Sequence, residues 1–118
     1  IFVDLYKEDS IRAEINYNDK FITPSLFQWE SPNDMTQDSE RGKDVIQCVE
    51  RKTRLHLFIR KFKEVENIAQ DYIYLGEVVT HKDSAKGEKP VKMNFALHEL
   101  PQDLYNDFIT NVDLTKTT

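Results

Sequence analysis

The chain has 118 residues, 39% of them apolar and 31% charged, with 16 basic against 21 acidic side chains and a formal net charge of -5. That length suits one globular domain with one small core and not two, and the single cysteine, Cys48, excludes an internal disulfide and a cysteine-rich metal site. No run approaches the roughly 20 apolar residues of a membrane helix and no charged-then-apolar leader opens the chain, so the expectation is a soluble domain in a reducing cytoplasm.

In chain order, Ile1 to Tyr6 alternates Ile1, Val3 and Leu5 with Phe2, Asp4 and Tyr6, which predicts a strand near a sheet edge. The chain begins inside this run without an initiator Met, so it is expected to be cut from a longer protein. Residues 12–22 read as a second extended stretch interrupted by the turn-prone pair Asn18-Asp19. Thr23-Pro24-Ser25 punctuates, because proline fixes its own φ and biases the residue before it away from helix. Leu26 to Ser31 is a short apolar segment ended by Pro32-Asn33-Asp34, and residues 33–40 are polar enough to predict a loop. Ser39 or Asp38 can then cap a helix running to about Lys52, with Val45, Ile46 and Val49 on one side and Cys48 beside them.

From Arg54 to Phe62 the alternation is strong: Leu55, Leu57 and Ile59 face one way, and Arg54, His56, Phe58 and Arg60 the other. Tyr72 to Thr80 predicts another strand, in which Gly76 marks a bulge or a close approach. A long polar connection over 82–90 precedes a strand from Val91 to Leu97, with Val91, Met93, Phe95 and Leu97 inward. Pro101 opens a closing helix with Leu104, Phe108 and Val112 at four-residue spacing, and the tail 114–118 is expected to fray. About six strands with one helix inserted and one at the end describe an α+β domain round a strongly curved or barrel-like sheet.

The average charge hides a mosaic. Residues 1–40 carry a net -6, while residues 41–63 carry +6 through Arg41, Lys43, Arg51, Lys52, Arg54, Arg60, Lys61 and Lys63 against Asp44 and Glu50. Such a run is often a solvated face, but a basic strip on an acidic body can also bind phosphates. The three histidines, His56, His81 and His98, lack the spacing of a metal site, and neither a nucleophile elbow nor a phosphate loop is present. Catalysis within the domain and a bound cofactor are therefore not expected.

The unusual local sequence is Pro24-Ser25-Leu26-Phe27-Gln28-Trp29-Glu30-Ser31-Pro32-Asn33, which holds the only tryptophan. Phe27, Trp29 and Ser31 share one face if the segment is extended. Phe27 and Trp29 could simply be core. An aromatic plate among Gln28, Glu30 and Ser31, ahead of a polar loop, is also what an unpaired base requires: stacking for affinity and polar groups for identity.

Taken together, Tyr17-Asn18-Asp19-Lys20-Phe21, Thr23 through Ser31, Ser39 to Gly42, Arg54 through Arg60, Tyr74-Leu75-Gly76 and Lys89 through Met93 resemble a C-terminal domain fused to a helicase core in bacterial proteins, often with a phospholipase-D-type nuclease at the other end. Proteins of that architecture include modification-dependent (type IV) restriction enzymes of the SauUSI-like group, whose C-terminal domain is similar to SRA domains and reads 5-methylcytosine or 5-hydroxymethylcytosine. The resemblance implies a PUA/SRA-like curved sheet or partial β-barrel with two flanking helices, a flipped-base pocket, double-stranded DNA as partner, and helicase and nuclease domains in the same chain. A more distant similarity to YTH and EVE modified-base readers implies that Trp29 walls the pocket.

On that reading Trp29 stacks the base, Phe27 or Tyr17 opposes it, and Gln28, Glu30, Ser31 and Asn33 read the cytosine edge. Arg41, Lys43, Arg51, Lys52 and Arg54 hold phosphates, with Lys82, Lys86 and Lys89 as a second clamp. The rival expectation is a coupling module that packs on the helicase without touching a base.

Overall fold

A computed structural model describes residues 1–9, 12–15 and 19–110. Its elements are β1 (Phe2–Asp4), β2 (Tyr6–Asp9), β3 (Arg12–Ile15), β4 (Lys20–Thr23), β5 (Leu26–Glu30), α1 (Glu40–Ile46), β6 (Leu55–Arg60), β7 (Glu64–Val65), β8 (Ile68–Ala69), β9 (Ile73–Lys86), β10 (Lys92–Ala96) and α2 (Gln102–Ile109). Six strands form one sheet in the order β1-β6-β9-β10-β5-β4, curled into a half-barrel, with β1 parallel to β6 and the other neighbours antiparallel. This is the expected α+β curved sheet with two helices, and β1 sits at its edge as the opening alternation predicts.

Alternation decides the two faces of the sheet. Phe27, Leu57, Ile59, Met93, Phe95, Val78 and Val91 are fully buried, whereas Gln28, Phe58, Arg60 and Asn94 between them are only partly covered. Each large side chain taken out of water contributes about 1.5–3 kcal/mol, so this inner face carries the fold. α2 closes the β4 end: Phe108 is buried and stacks on Phe21 at 5.4 Å, with Tyr105 edge-on to the same ring. Val112 and the tail lie outside the described residues, as does Asn18.

The bulge expected at Gly76 is present. His56 pairs with Glu77 but Phe58 pairs with Tyr74, so one extra residue enters β9, and Gly76 takes φ +93°. The insertion exchanges the facing, with Leu75 buried before it and Val78 and Thr80 after it.

Two expectations are corrected. α1 stops at Ile46 instead of running to Lys52; Thr80 Oγ1 donates to Val45 O at 2.6 Å, satisfying a carbonyl at the end of the helix, and a turn over residues 47–52 follows. That turn buries Cys48 and leaves Val49 65% exposed, the reverse of a continued helical face. The polar stretch 82–86 is strand: three extra residues enter β9 opposite β10, and Ser84 Oγ satisfies the gap by accepting from Asn94 N (2.8 Å) and donating to His81 O (2.5 Å). Pairing with β10 thus overrides a local composition that favours a loop. The extended stretch expected over 12–22 with an interruption at Asn18-Asp19 is present as β3 and β4, of which β3 pairs with β2 and β4 joins the main sheet.

Candidate functional site

A groove of about 700 Å³ lies where the half-barrel is open, between the β1 edge and the end of β5. One wall is Phe2, Val3 and Asp4 of β1 with Tyr6, continued by Lys63, Glu64 and Tyr72. The other is Trp29 and Glu30 of β5, Ser31, Pro32 and Asn33 beyond it, and Asp19. Curling of the sheet brings these walls together, for β1 and β5 are not neighbours within it.

Trp29 is buried at 8% exposure, with one ring face stacked on Phe95 at 5.4 Å; what remains open of it lines the groove. Asp19, also buried, accepts a hydrogen bond from Glu30 N at 2.7 Å and so ties the start of β4 to the end of β5. Arg60, which is not in the lining, supports two residues of the opposite wall: it makes two hydrogen bonds to the Asp4 carboxylate, at 2.6 and 3.3 Å, and lies 4.2 Å over the Tyr72 ring. The hydrogen bond to Asp4 raises the Arg60 guanidinium further above its ordinary range. Burial, then the Asp4 carboxylate, raises the Tyr72 phenol, so it stands in the groove as a neutral hydroxyl at pH 7. Asp4, Asp19, Glu30 and Glu64 against Lys63 make the lining predominantly acidic.

Of the base-site residues expected from the sequence, the groove brings together Trp29, Glu30, Ser31 and Asn33. Phe27 is corrected: at 0% exposure, edge-on to Phe21, it is core and cannot oppose a base. Gln28 alternates onto the outer face of β5, away from Trp29, and is not in the lining. Tyr17 lies outside the described residues. Ser31 lines the groove, but its hydroxyl donates to Pro32 O (3.0 Å) and accepts from Val91 N (2.9 Å), which makes it a brace between β5 and β10.

None of Arg41, Lys43, Arg51, Lys52 and Arg54 lines the groove. Arg51 is bound to Glu40 (2.8 Å) and Asp44 (3.1 Å), and Arg54 to Glu77 (3.5 Å). Arg41, Lys43 and Lys52 have no ion-pair partner among the described residues. Of the second clamp, Lys82 is paired with Glu50 at 3.4 Å, while Lys86 and Lys89 have no ion-pair partner among the described residues. Phe2, Asp4, Asp19 and Tyr72 are groove residues that sequence reasoning missed. Their one local signal is an aromatic or acidic residue at an outward strand position or in a turn, which is too common to single them out.

Among the described residues no three His, Cys, Asp or Glu side chains gather as a metal site, and no helix is long and apolar enough to cross a membrane. Fold and groove together define a small α+β domain with a curled sheet and an open cleft lined by aromatic and acidic residues. The chain belongs to the family described as a domain of unknown function, DUF3427, whose model matches residues 1–108. Comparison with curated proteins finds none that matches.

Proposed function

We propose that this domain is the non-catalytic DNA-recognition module of a modification-dependent restriction endonuclease, and that it takes a flipped 5-methylcytosine or 5-hydroxymethylcytosine into the groove beside Trp29. The observation that carries the reading is the composition of the groove: Trp29 with the acidic residues Glu30 and Asp19 on one wall, and Phe2 and Tyr72 on the other. Carboxylates accept from the exocyclic amine of cytosine, and aromatic walls offset the few kcal/mol of unstacking. Phe2 and Tyr72 take the opposing role that Phe27 cannot. A 5-methyl group offers only about 0.8 kcal/mol of burial, so discrimination rests on the shape of the slot. The PUA/SRA-like kinship, the helicase and nuclease partners in one chain and the bacterial cytoplasm belong to the same proposal.

The test is titration with methylated and unmodified duplexes while following the fluorescence of Trp29, the only tryptophan. Quenching with tighter binding of the methylated duplex is expected, and Tyr72→Ala should weaken that binding by about 1–3 kcal/mol. Equal, weak, salt-sensitive binding without quenching refutes the reading.

A second reading, the coupling module, is favoured by one observation. The outer face of β1, β6 and β9 carries a contiguous aromatic stripe: Phe2 stacked on Phe58 at 4.7 Å and Phe58 tilted against Tyr74 at 4.9 Å, with Phe2 65% and Tyr74 53% exposed. If the domain only couples, Tyr74→Ala impairs the full protein's ATP-driven activity while Tyr72→Ala leaves DNA binding unchanged.

A further inference from the structure

We propose that the outer face of β9, β10, β5 and β4 is the phosphate-contacting surface of the domain, with Lys20, Lys86 and Lys92 holding the backbone of a bound duplex. The proposal rests on the DNA-recognition reading and specifies where the duplex lies.

Lys86 of β9 pairs with Lys92 of β10, which pairs with Glu30 of β5; residues directly opposite in a sheet project to the same side. The next row runs His81, Asn94, Gln28, Lys20 across the same four strands. Met93, Phe95, Phe27 and Trp29 are buried on the inner face, so both rows are on the outer one, where Lys20, His81, Lys86 and Lys92 are exposed. The two rows hold three lysines against one carboxylate, with an imidazole and two amides between them. Lys20, Lys86 and Lys92 have no ion-pair partner among the described residues, whereas Arg51, Arg54 and Lys82 are already neutralised by Glu40, Asp44, Glu77 and Glu50. Three unpaired cations with hydrogen-bonding side chains between them complement a polyanion.

Position strengthens the case. Glu30 belongs to the first lysine row and also lines the groove, so the row begins at the groove's rim. Two strand spacings, about 10 Å, carry it from Glu30 to Lys86. A base inserted beside Trp29 leaves its flanking phosphates at that rim, with Lys92 one strand spacing away and Lys86 two. The patch is invisible to a linear charge count because its lysines are drawn from positions 20, 86 and 92, and the -6 of residues 1–40 conceals Lys20.

The experiment compares the chain with its Lys20→Glu/Lys86→Glu/Lys92→Glu variant and with Arg41→Glu/Lys43→Glu, by anisotropy of labelled methylated and unmodified duplexes between about 50 and 200 mM salt. Circular dichroism and melting verify the fold, and the milder Lys→Gln triple variant serves if the charge reversal does not fold. Neutralising three phosphate contacts should lower the slope of log affinity against log salt by about 2.7 and weaken both duplexes by the same factor, at least about tenfold. An unchanged slope, or a loss confined to Arg41→Glu/Lys43→Glu, overturns the proposal. Discrimination in the parent chain that survives an unaffected triple variant removes this face and keeps the base-reading groove. Equal binding of both duplexes that depends on the three lysines removes the base-reading groove and keeps this face. No binding to either duplex refutes both.

Discussion

Gly42→Ala sets helix propensity against packing. Gly42 is in the first turn of α1, where propensity alone predicts that alanine gains up to about 1 kcal/mol. The tertiary structure reverses the sign. A Cβ at position 42 would stand 2.0 Å from Thr36 O and 3.0 Å from Ser39 Oγ, and real Cβ atoms essentially never come within 3.0 Å. The carbonyl is not free to retreat, because Thr36 O accepts from Ser39 Oγ at 2.8 Å and Ser39 Oγ in turn accepts from Gly42 N at 3.0 Å, capping the helix. Relief requires a shift of about 1 Å, which overpacking series put at about 1–3 kcal/mol, with about 1 kcal/mol more if the cap is lost. After the propensity gain, a net loss of about 2 kcal/mol remains, near 8 °C in melting temperature for a domain this size. Urea unfolding of both proteins measures it, and the midpoint should fall with an unchanged slope. A midpoint equal to or above the parent's refutes the reasoning, since the 36–39 loop would then yield at no cost. The displacement should also spread, because this loop is strapped to the β9–β10 turn by Gln37 N to Glu88 Oε2 (2.8 Å) and Lys89 N to Met35 O (2.9 Å).

Ser31→Ala removes the acceptor of the fully buried Val91 N–H, so it should cost about 1–3 kcal/mol in thermal or urea unfolding and leave any preference among duplexes intact; an unshifted melting temperature contradicts the brace. In the β7–β8 hairpin Glu66 (φ 52°) and Asn67 (φ 66°) both adopt the left-handed conformation of a type I′ turn. Glu66→Asn should therefore raise local amide-exchange protection by about 0.5 kcal/mol and Asn67→Val lower it by about 1 kcal/mol, while the opposite order disproves the turn type. Glu50 has its carboxyl held below the ordinary 4.5 by its own backbone amide first and by Lys82 second. A depressed carboxyl contributes stability above 4.5 that fades as pH falls through its folded value, so the 47–52 turn should loosen only in acid. Lys82→Ala should leave part of the depression in an NMR titration, and a full return to 4.5 would show that the backbone amide contributes nothing.

How much was legible follows from the range of the interactions. The inward residues of β6 and β10 were readable because a period of two needs only local sequence and one buried face. A cap at Ser39 or Asp38 was readable for the same reason, and the structure selects Ser39, whose oxygen reaches only to the amide of Gly42. The end of α1 was not, since Thr80 supplies the partner for Val45 O from 35 residues away. Residues 82–86 looked like loop because polarity was their only local signal, and their strand character comes from β10. At the candidate site Trp29 and Glu30 were found as a local anomaly. Phe2, Asp4 and Tyr72 were not, because only the curl of the sheet carries β1 to the end of β5.

By itself the sequence determined the α+β class, the curved sheet and which faces of its strong strands turn inward, because burial of alternating apolar residues is set residue by residue. Tertiary structure alone decided that Phe27 is core and Tyr72 is groove, and that the acidic first segment and the polar 82–92 stretch contribute to one unpaired lysine face. The opening charge of -5 and the basic run at 41–63 are sums along the chain, whereas a binding surface is a sum across strands. Register brings Lys20, Lys86 and Lys92 to one side of the sheet, and its decisive step is the β5–β10 pairing, which joins segments more than 60 residues apart.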